Sequence, residues 1–521
     1  MAEREIIEVK ITDMLDDGRA FGRHEGCAVF VVGKGGAASA EKASGGVPAG
    51  AVPGDTVRAE IRKSGKSSKE AVMTELIEAS PERIAAECPY FGECGGCTLQ
   101  ELAYDAQLKM KTEQVRSKLT RLGGLTEPKV NDMIAAETLK YYRNKATFAV
   151  GPHGEVGFKK AKSHFVMDID DCILQCDAAM VCADALRTFL KDNADTVKPG
   201  RDIKEMTVKT AFGTGEVMVV LEGAKKEIPG IELLCEMLDD AVYSVNENSE
   251  EISEEENSDK VSLTDELLKD DVAFSYSLES VAVIYGAGGK EKRAGKCEII
   301  AGKPTITDEV IKPDGTILKF EIGPQSFYQV NPEQMVKLYD IAEQYAIGKS
   351  KTIGTLLDIY CGVGTIGIWM AGKAEQVIGI ESVKSAVIDA NRNSVINGLI
   401  NTRYICGKAE EELPGMMGLA KLYKWNEVNE RVEREPEITI KEFDVAVLDP
   451  PRAGCGEALL AAVTAAQPRR IVYISCDPGT LARDIKYLTA HGYDFIEATP
   501  VDQFPWTSHV ETVCLMSRVK E

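Results

Sequence analysis

The residues that decide the fold are Ile471–Pro478, with the sequence IVYISCDP. The first four residues are apolar and β-prone, as is typical of a strand buried within a parallel sheet. The turn leads into a predicted helix over residues 480–488. Cys476 therefore lies at the carboxyl end of a strand, where open α/β sheets bind ligands, and near a helix N-terminus, which favours the thiolate. The alternative interpretation of Cys476 is a small buried hydrophobic residue.

A second strand-and-turn segment, TLLDIYCGVGTIG at residues 355–367, predicts a nucleotide-type site. Its glycines, which include Gly362 and Gly364, match the pattern Gly-x-Gly-x-x-Gly between a strand and a helix. A glycine pattern alone has low specificity. Here the next strand, residues 376–381, ends in Glu381, whose carboxylate can accept hydrogen bonds from a ribose. The two strands together predict a βαβ ligand site.

Two further carboxylates indicate the class of ligand. Asp358 lies at the end of the first of these strands, where an acid suits the cationic methionine group of S-adenosylmethionine better than a pyrophosphate. Another apolar strand, residues 444–448, leads into Asp449-Pro-Pro-Arg, which projects a carboxylate toward the same cleft. The pattern therefore predicts a methyltransferase domain rather than a dehydrogenase.

Three closely spaced cysteines, Cys88, Cys94 and Cys97, predict a metal or cluster site, although core packing is the alternative. A fourth ligand is required, and Cys172 and Cys176 are both candidates. Four thiolates suit either zinc or an iron–sulfur cluster. The spacing Cys-x5-Cys-x2-Cys differs from the paired knuckle of a structural zinc site, so the pattern favours a cluster.

The N-terminal region, residues 5–63, reads as short strands between turns, which predict a small β-barrel. Basic residues near its end indicate either a solvated surface or an oligonucleotide-binding face. Aromatic residues are interleaved with Arg and Lys in residues 141–145 and 157–164. This combination suits single-stranded RNA, and it suits an ordinary amphipathic sheet equally well.

The chain has 521 residues, a length that predicts about three domains. Its 14 cysteines, without a signal-peptide pattern, indicate a reducing compartment, and we expect a cytoplasmic monomer. No apolar run approaches the length of a membrane span, so we expect no membrane association. The net charge of −22 argues against nucleic-acid binding over the whole surface but is compatible with a local basic groove.

Taken in order, the motifs resemble those of the bacterial 23S ribosomal RNA (uracil-5-)-methyltransferases that carry a TRAM barrel and an iron–sulfur cluster. The resemblance covers nearly the whole chain. Residues 35–50, 246–271 and 411–441 are departures that look like insertions, and Tyr328 replaces the middle residue of the usual Phe-Phe-Gln core. The motifs are CPYFGECGGC (88–97), YRNK (142–145), SFYQVNP (326–332), DIYCGVGTIG (358–367), DPPR (449–452), SCDP (475–478) and FPWTSHVET (504–512).

The resemblance implies a multi-domain fold with three parts. The first is a TRAM barrel, OB-like, over residues 1–65. The second is a central α+β RNA-binding domain with the iron–sulfur cluster over residues 66–320, and we expect its helix at residues 98–122 to pack on the catalytic domain. The third is a Rossmann-like α/β methyltransferase domain, dependent on S-adenosylmethionine, over residues 321–521.

The resemblance also implies the chemistry. Cys476 would be the nucleophile that adds to C6 of a uracil, and Glu511 would be the base that removes the C5 proton. Without the family, Glu511 reads as a solvent-facing strand residue. The implied contacts to the methyl donor are Gln329, Tyr360, Glu381 and Asp449. The implied ligands of a [4Fe–4S] cluster are Cys88, Cys94, Cys97 and Cys172.

The implied product is 5-methyluridine in 23S ribosomal RNA, and transfer RNA is the alternative substrate. Two other functions are compatible with parts of the sequence. A methyltransferase acting on an exocyclic nitrogen would use the Asp449-Pro-Pro turn but would need no nucleophile at Cys476. A non-catalytic RNA-binding protein would keep the cofactor fold without methyl transfer.

Overall fold

Three units follow one another along the chain: a β-barrel, a central sheet with helices, and a C-terminal α/β domain. Most of the predicted insertions at residues 35–50 and 246–271 lies outside the described residues. No helix in the described part of the chain has the length and apolar character needed to cross a bilayer. The structure, a computed structural model, describes residues 5–15, 17–33, 49–252, 275–286, 295–425 and 431–519.

The N-terminal unit is a closed barrel of five strands. They are β1 (Ile6–Met14), β2 (Ala20–His24), β3 (Cys27–Val32), β4 (Thr56–Ser64) and β5 (Ser68–Glu78). Ile7, Val9 and Ile11 fill the interior because alternate residues of β1 point inward. We predicted the barrel to end at residue 65, but β5 lies beyond that point and closes the barrel by pairing with β3 and β4. Its polar start, Ser-Lys-Glu, gave no apolar signal for a strand.

Helix α1 (Tyr104–Arg121) connects the barrel to the central unit and packs on the C-terminal domain, where Val115 and Leu119 are buried. We predicted residues 98–122 for this helix. It begins at Tyr104 because the backbone N–H groups of Thr98 and Leu99 donate to the carbonyl oxygen of Trp506 instead.

The central unit is a sheet of seven strands in the order β12-β11-β10-β9-β6-β7-β8, with two helices on one face. Val217 and Val219 face these helices, whereas Met218 and Val220 pack toward the C-terminal domain, so both faces of the sheet are buried. Its elements are β6 (Lys145–Val150), β7 (Val156–Lys159), β8 (Val166–Asp168), α2 (Asp177–Asp192), β9 (Glu205–Thr210), β10 (Glu216–Gly223), α3 (Ile231–Ile252), β11 (Ser277–Tyr285) and β12 (Lys296–Gly302).

A hairpin of two strands, β13 (Ile306–Ile311) and β14 (Ile317–Ile322), joins the central unit to the C-terminal domain. The C-terminal elements are α4 (Pro332–Ile347), β15 (Ile353–Ile359), α5 (Thr365–Met370), a 3-10 turn (Ala371–Lys373), β16 (Ala374–Glu381), α6 (Lys384–Ile396), β17 (Thr402–Cys406), α7 (Ala409–Met416), β18 (Leu422–Trp425), β19 (Arg431–Arg434), β20 (Val445–Leu448), α8 (Glu457–Ala466), β21 (Arg470–Ser475), α9 (Pro478–Ala490), β22 (Tyr493–Val501) and β23 (Glu511–Arg518).

The main C-terminal sheet has the strand order β17-β16-β15-β20-β21-β23-β22. Its neighbouring strands are parallel except for β23, which is antiparallel to both β21 and β22. The order of the strands reverses between β15 and β20, which creates a cleft at their carboxyl ends. The strands predicted from the sequence of this domain are confirmed as β15, β16, β20 and β21, and the closing strand predicted at residues 510–516 is confirmed as β23.

Candidate active site

Cys476 lies in the turn between β21 and α9, as the sequence predicts. Asp477 caps this helix, because its Oδ1 accepts hydrogen bonds from the backbone N–H groups of Gly479 and Thr480 at 2.8 and 2.9 Å. Pro478 is the first helical residue, where a missing N–H removes no intrahelical bond. The turn therefore holds Cys476 at the carboxyl edge of the sheet with its side chain half-buried.

The electrostatic surroundings of Cys476 favour the thiol. Burial, followed by the negative charge of Glu511, raises the pKa of Cys476 to about 11, although the guanidinium of Arg452 opposes this shift. The prediction that Cys476 is a thiolate is therefore wrong. The physical reason is that the carboxylate of Asp477 already occupies the helix N-terminus, while burial and nearby carboxylates disfavour a second negative charge.

Glu511 is the first residue of β23 and is only 5% exposed. The solvent-facing interpretation is wrong because β23 lies between β21 and β22 in the sheet. Ser475 of β21 pairs with Thr512 of β23, which brings the adjoining residues Cys476 and Glu511 to the same end of the strand pair. Burial raises the pKa of Glu511 well above its usual value, and Asp449 adds to that shift. A raised pKa makes the ionised carboxylate a stronger base for proton transfer.

Arg452 is a residue of this site to which the sequence analysis assigned no role. Its positive charge lowers the pKa values of both Cys476 and Glu511, so it lies close to the two groups. The loop that carries it is tied to α9, since the Thr480 hydroxyl donates to the Arg452 carbonyl oxygen at 3.2 Å. The signal was present in the motif Asp449-Pro-Pro-Arg, because a loop at the carboxyl end of β20 opens onto the cleft.

Asp358 and Asp449 bring carboxyl groups to the same cleft. Asp358 is fully buried, and its Oδ2 accepts a hydrogen bond from the backbone N–H of Gly367 at 2.9 Å. Its Oδ1 is also buried and has no hydrogen-bond partner among the described residues. Burial, together with the charges of Asp449 and Glu381, raises the pKa of Asp358 to about 7. Burial raises the pKa of Asp449 to about 7 as well. A cationic ligand would relieve this crowding of negative charge.

The glycine turn after β15 has the backbone that a ligand loop requires. Gly362 and Gly364 have φ values of 53° and 85°, in the left-handed region that favours glycine. Tyr360 also has a positive φ, 64°, which is uncommon for a bulky residue and fixes the start of the turn. The backbone N–H of Gly362 donates to Glu381 Oε2 at 3.3 Å, so this carboxylate lies directly beside the turn. The predicted donor contacts on β15 and β16 thus adjoin one another.

Gln329 reaches the site from the segment before α4, and its side chain is buried. Its backbone carbonyl accepts a hydrogen bond from the Asn144 side chain at 3.0 Å, and its Oε1 accepts one from Gln503 Nε2 at 3.5 Å. The hydroxyl of Tyr339 lies near Gln329 and near the carboxylates of the cleft, since Asp449 and Asp358 raise its pKa further after burial. Gln329 therefore adjoins the carboxylate cleft.

Comparisons with known proteins agree with this geometry. Residues 291–519 match the family model described as tRNA (Uracil-5-)-methyltransferase. An uncharacterized RNA methyltransferase of Caldanaerobacter subterraneus subsp. tengcongensis is 36% identical over 98% of this chain and 98% of its own length. Another from Halalkalibacterium halodurans is 32% identical over 99% of this chain and 97% of its own length. The chain belongs to the RNA uracil-5-methyltransferase family. It is thus an enzyme that depends on S-adenosylmethionine.

A solved structure of the tRNA (uracil-54, C5)-methyltransferase of Pyrococcus abyssi, in complex with S-adenosyl-L-homocysteine, is similar in fold to this RNA methyltransferase. The TM-score is 0.65 and the identity is 23%, and the alignment covers 98% of this chain and 99% of the other. The similarity therefore extends across the N-terminal and central units as well as the C-terminal domain.

The predicted cluster ligands of this RNA methyltransferase, Cys88, Cys94, Cys97 and Cys172, line one cavity of about 370 Å³ in the central unit. Burial raises the pKa of Cys97 to about 12 and of Cys172 to about 11. Cys176, the other candidate, is buried in the core between the central sheet and α2, with its Sγ 3.4 Å from the Thr210 hydroxyl. Within the described ranges, no group of three or more Cys, His, Asp or Glu residues has an arrangement that could hold a metal ion.

Proposed function

We propose that this RNA methyltransferase methylates C5 of a uridine in 23S ribosomal RNA through a transient bond between Cys476 Sγ and C6 of the base. The observation that carries the proposal is the placement of one thiol, Cys476, and one buried carboxyl, Glu511, at the same end of two paired strands. The carboxylate cleft of Asp358 and Asp449 adjoins them. A nucleophile, a base and a cation-binding cleft are the three parts that the reaction requires.

The first chemical step belongs to Cys476. Its thiolate adds to C6, and the electrons of the C5–C6 double bond make C5 nucleophilic. S-adenosylmethionine, when bound, would supply the electrophilic methyl group: C5 bonds to the methyl carbon, the S–CH3 bond breaks, and the thioether product leaves. The residues that would hold the donor are Asp358, Glu381, Asp449, Gln329 and Tyr360. Burial and Glu511 disfavour ionisation of the free thiol, and the positive charge of Arg452 favours the thiolate. The uridine has to leave its stack to reach the half-buried sulfur.

The second step belongs to Glu511. Its carboxylate takes the proton from C5, the electron pair of that C–H bond restores the C5–C6 double bond, and the C6–S bond breaks with its electrons returning to Cys476. Arg452 supports this role because its charge opposes the rise in the pKa of Glu511 that burial causes.

Replacing the nucleophile tests the mechanism. Cys476→Ala should abolish methyl transfer and the covalent enzyme–RNA complex, while the affinity for S-adenosylmethionine changes by less than about twofold, since the sulfur is not needed to hold the donor. Cys235→Ala, which removes another half-buried thiol from α3, is the matched control and should behave as the wild type. Methyl transfer by Cys476→Ala at the wild-type rate would contradict the mechanism and favour an exocyclic-nitrogen methyltransferase.

The ribosomal substrate is supported by the family resemblance of the barrel and of the four-cysteine motif, whereas the matching family model is named for transfer RNA. Mapping 5-methyluridine in total RNA from a strain that lacks the protein separates the two. We expect one or more unmethylated uridines in 23S ribosomal RNA and normal transfer RNA. Loss of methylation only in transfer RNA would contradict the ribosomal substrate and leave the chemistry intact.

We also propose that Cys88, Cys94, Cys97 and Cys172 bind a [4Fe–4S] cluster. The donor set fits, because four thiols share one cavity and cluster ligands bind different iron atoms, so they need not converge on a single point as zinc ligands do. The bound group would supply the positive charge that deprotonated thiols in a buried site require. Protein purified without oxygen should be brown and contain iron. Zinc without iron would contradict the cluster.

A further inference from the structure

Residues 502–508, the segment before the catalytic strand β23, are held by the N-terminal half of the chain. Lys111 and Asp502 form a fully buried ion pair with 2.6 Å between Nζ and Oδ1. The hydroxyl of Tyr104 donates to Asp502 Oδ2 at 2.9 Å. The Lys111 Nζ also donates to the carbonyl oxygen of Phe504 at 3.3 Å. Helix α1 thus fixes the first part of the 502–508 segment.

The second part of the segment is held by the residues that follow Cys97. The backbone N–H groups of Thr98 and Leu99 both donate to the carbonyl oxygen of Trp506, at 2.9 and 3.0 Å. The Thr98 hydroxyl oxygen accepts a hydrogen bond from the backbone N–H of Ser508 at 2.9 Å. Trp506 has a positive φ of 66°, a conformation that a bulky residue keeps only when its surroundings enforce it. Thr98 therefore contacts both sides of a strained turn.

The side chain of Trp506 packs against the cysteine site itself. It forms a buried cluster with Tyr142 and Leu174, and Cys97 and Cys172 pack against this cluster. The indole N–H donates to the carbonyl oxygen of Leu139 at 2.8 Å. The Tyr142 hydroxyl donates to the carbonyl oxygen of Pro505 at 3.1 Å. Two of the four cysteines thus pack against the cluster that contains Trp506, whose backbone sets the path toward Glu511.

We propose that Thr98 is a positioning residue for Glu511, through which the cysteine site controls removal of the C5 proton. Ligation of Cys97 constrains the next residue, Thr98, and Thr98 fixes the turn at Trp506 and Ser508. Ser508 lies just before the start of β23, so a change in the turn moves the Glu511 carboxyl. Cys476 lies between β21 and α9, and its turn is shaped by Asp477, which caps α9, and by Pro478, the first residue of that helix. Addition and methyl transfer should therefore continue when the turn is disturbed.

The experiment uses Thr98→Val in the full-length protein, which keeps the branched side chain and removes the acceptor for the Ser508 N–H. Total RNA from a strain that lacks the protein is the substrate. The covalent enzyme–RNA complex should form at close to the wild-type rate and then accumulate, because its breakdown slows about 10- to 100-fold when the base is misplaced. Thr98→Ser restores the acceptor and should restore breakdown. Thr112→Val, a buried threonine whose hydroxyl bonds within α1, is the control without effect.

Cys172→Ala should also form the covalent complex at close to the wild-type rate and break it down slowly. It should in addition lose iron, as measured by absorbance and metal analysis. A general loss of folding would slow formation and breakdown alike, so the separation distinguishes positioning from stability. Should Thr98→Val fail to fold, Tyr142→Phe removes the bond to Pro505 from the same turn and should also slow breakdown alone.

This inference rests on the proposed function, and the two can fail separately. Methylation by Cys476→Ala would overturn the covalent mechanism. If that variant is inactive and Thr98→Val nevertheless releases its RNA at the wild-type rate, only the positioning role is overturned. Equal slowing of formation and breakdown in Thr98→Val would overturn it too.

Discussion

Cys476 and the four cysteines of the central unit are all partly buried, but their charged neighbours differ. Cys476 has charged groups from other elements around it: after burial, Glu511 and Asp449 raise its pKa and Arg452 lowers it. At Cys97 the charged groups that raise the pKa after burial are the other three cysteines. At the first site, neighbouring charged residues raise and lower the pKa of one thiol. At the second site, ionisation of one cysteine disfavours ionisation of the others.

This difference indicates different uses of the same side chain. A single thiol between a cation and two carboxylates can gain and lose a negative charge during a reaction, as a transient nucleophile must. Four thiols that oppose each other's ionisation need an added positive charge to become thiolates together, as ligands of a metal group must. We therefore expect mutations near Cys476 to change turnover and the covalent complex, and mutations of the clustered cysteines to change the iron content.

The largest effect is expected at the base beside the nucleophile. Glu511→Gln removes proton acceptance with little change in shape and should lower turnover by about 10²- to 10⁴-fold, which is the usual contribution of a general base. The covalent complex should still form and should accumulate, because the donor cleft keeps its residues and loss of the Glu511 charge favours the Cys476 thiolate. Gel analysis of the complex and a methyl-transfer assay measure the two steps.

Glu497→Gln, on the neighbouring strand β22, is the matched control, because this carboxylate bonds to Asn131 and Lys129 away from the cleft. It should turn over within about twofold of the wild type, as expected for a largely surface interaction. Rapid turnover by Glu511→Gln would contradict the role of Glu511 and remove the contrast between the two sites.

The next effect separates the two candidates for the fourth ligand. Cys172→Ala should reduce the iron content at least about tenfold. Loss of a ligand should lower the metal affinity at least as much as loss of a residue that only orients a ligand. Cys176→Ala should keep its iron and lower the free energy of unfolding by about 1 kcal/mol through a small cavity. Iron analysis and denaturant unfolding measure the two outcomes. Loss of iron in Cys176→Ala but not in Cys172→Ala would show that Cys176 is the fourth ligand.

The C-terminal fold could be predicted because its signals are local. The strand at residues 471–474 and the glycine turn at residues 362–367 each follow from short runs of sequence. The barrel strand β5 could not be placed, because it begins with polar residues and is defined by pairing with β3 and β4. Local pattern thus sufficed where a strand is buried on both faces, and it failed for a barrel strand with a polar start.

The electrostatics of the site could not be read from the sequence. The rule that a helix N-terminus favours a thiolate predicted an ionised Cys476, but burial, followed by the charge of Glu511 from another strand, raises the pKa of this thiol. The burial of Glu511 likewise depends on the position of β23 between β21 and β22. The contact between Trp506 and the residues after Cys97 joins segments about four hundred residues apart, a distance at which a single sequence carries no pairing signal.

The smallest expected effect concerns Arg452, whose positive charge lowers the pKa of Cys476. Alkylation by iodoacetamide requires the thiolate, so below the raised pKa of about 11 the rate at Cys476 should increase about tenfold for each pH unit. Arg452→Gln removes the charge that lowers this pKa, so the profile should move to higher pH and the rate near neutral pH should fall about tenfold or less. Mass spectrometry of the Cys476 peptide measures the rate, and the peptide of the exposed Cys406 corrects for reagent reactivity. Arg403→Gln, which removes an exposed arginine from β17, is the control and should leave the profile unchanged. A shift to lower pH in Arg452→Gln would mean that the arginine acts mainly by keeping Glu511 ionised and not by favouring the thiolate. The difference between the two cysteine sites would then be due to the carboxylates alone.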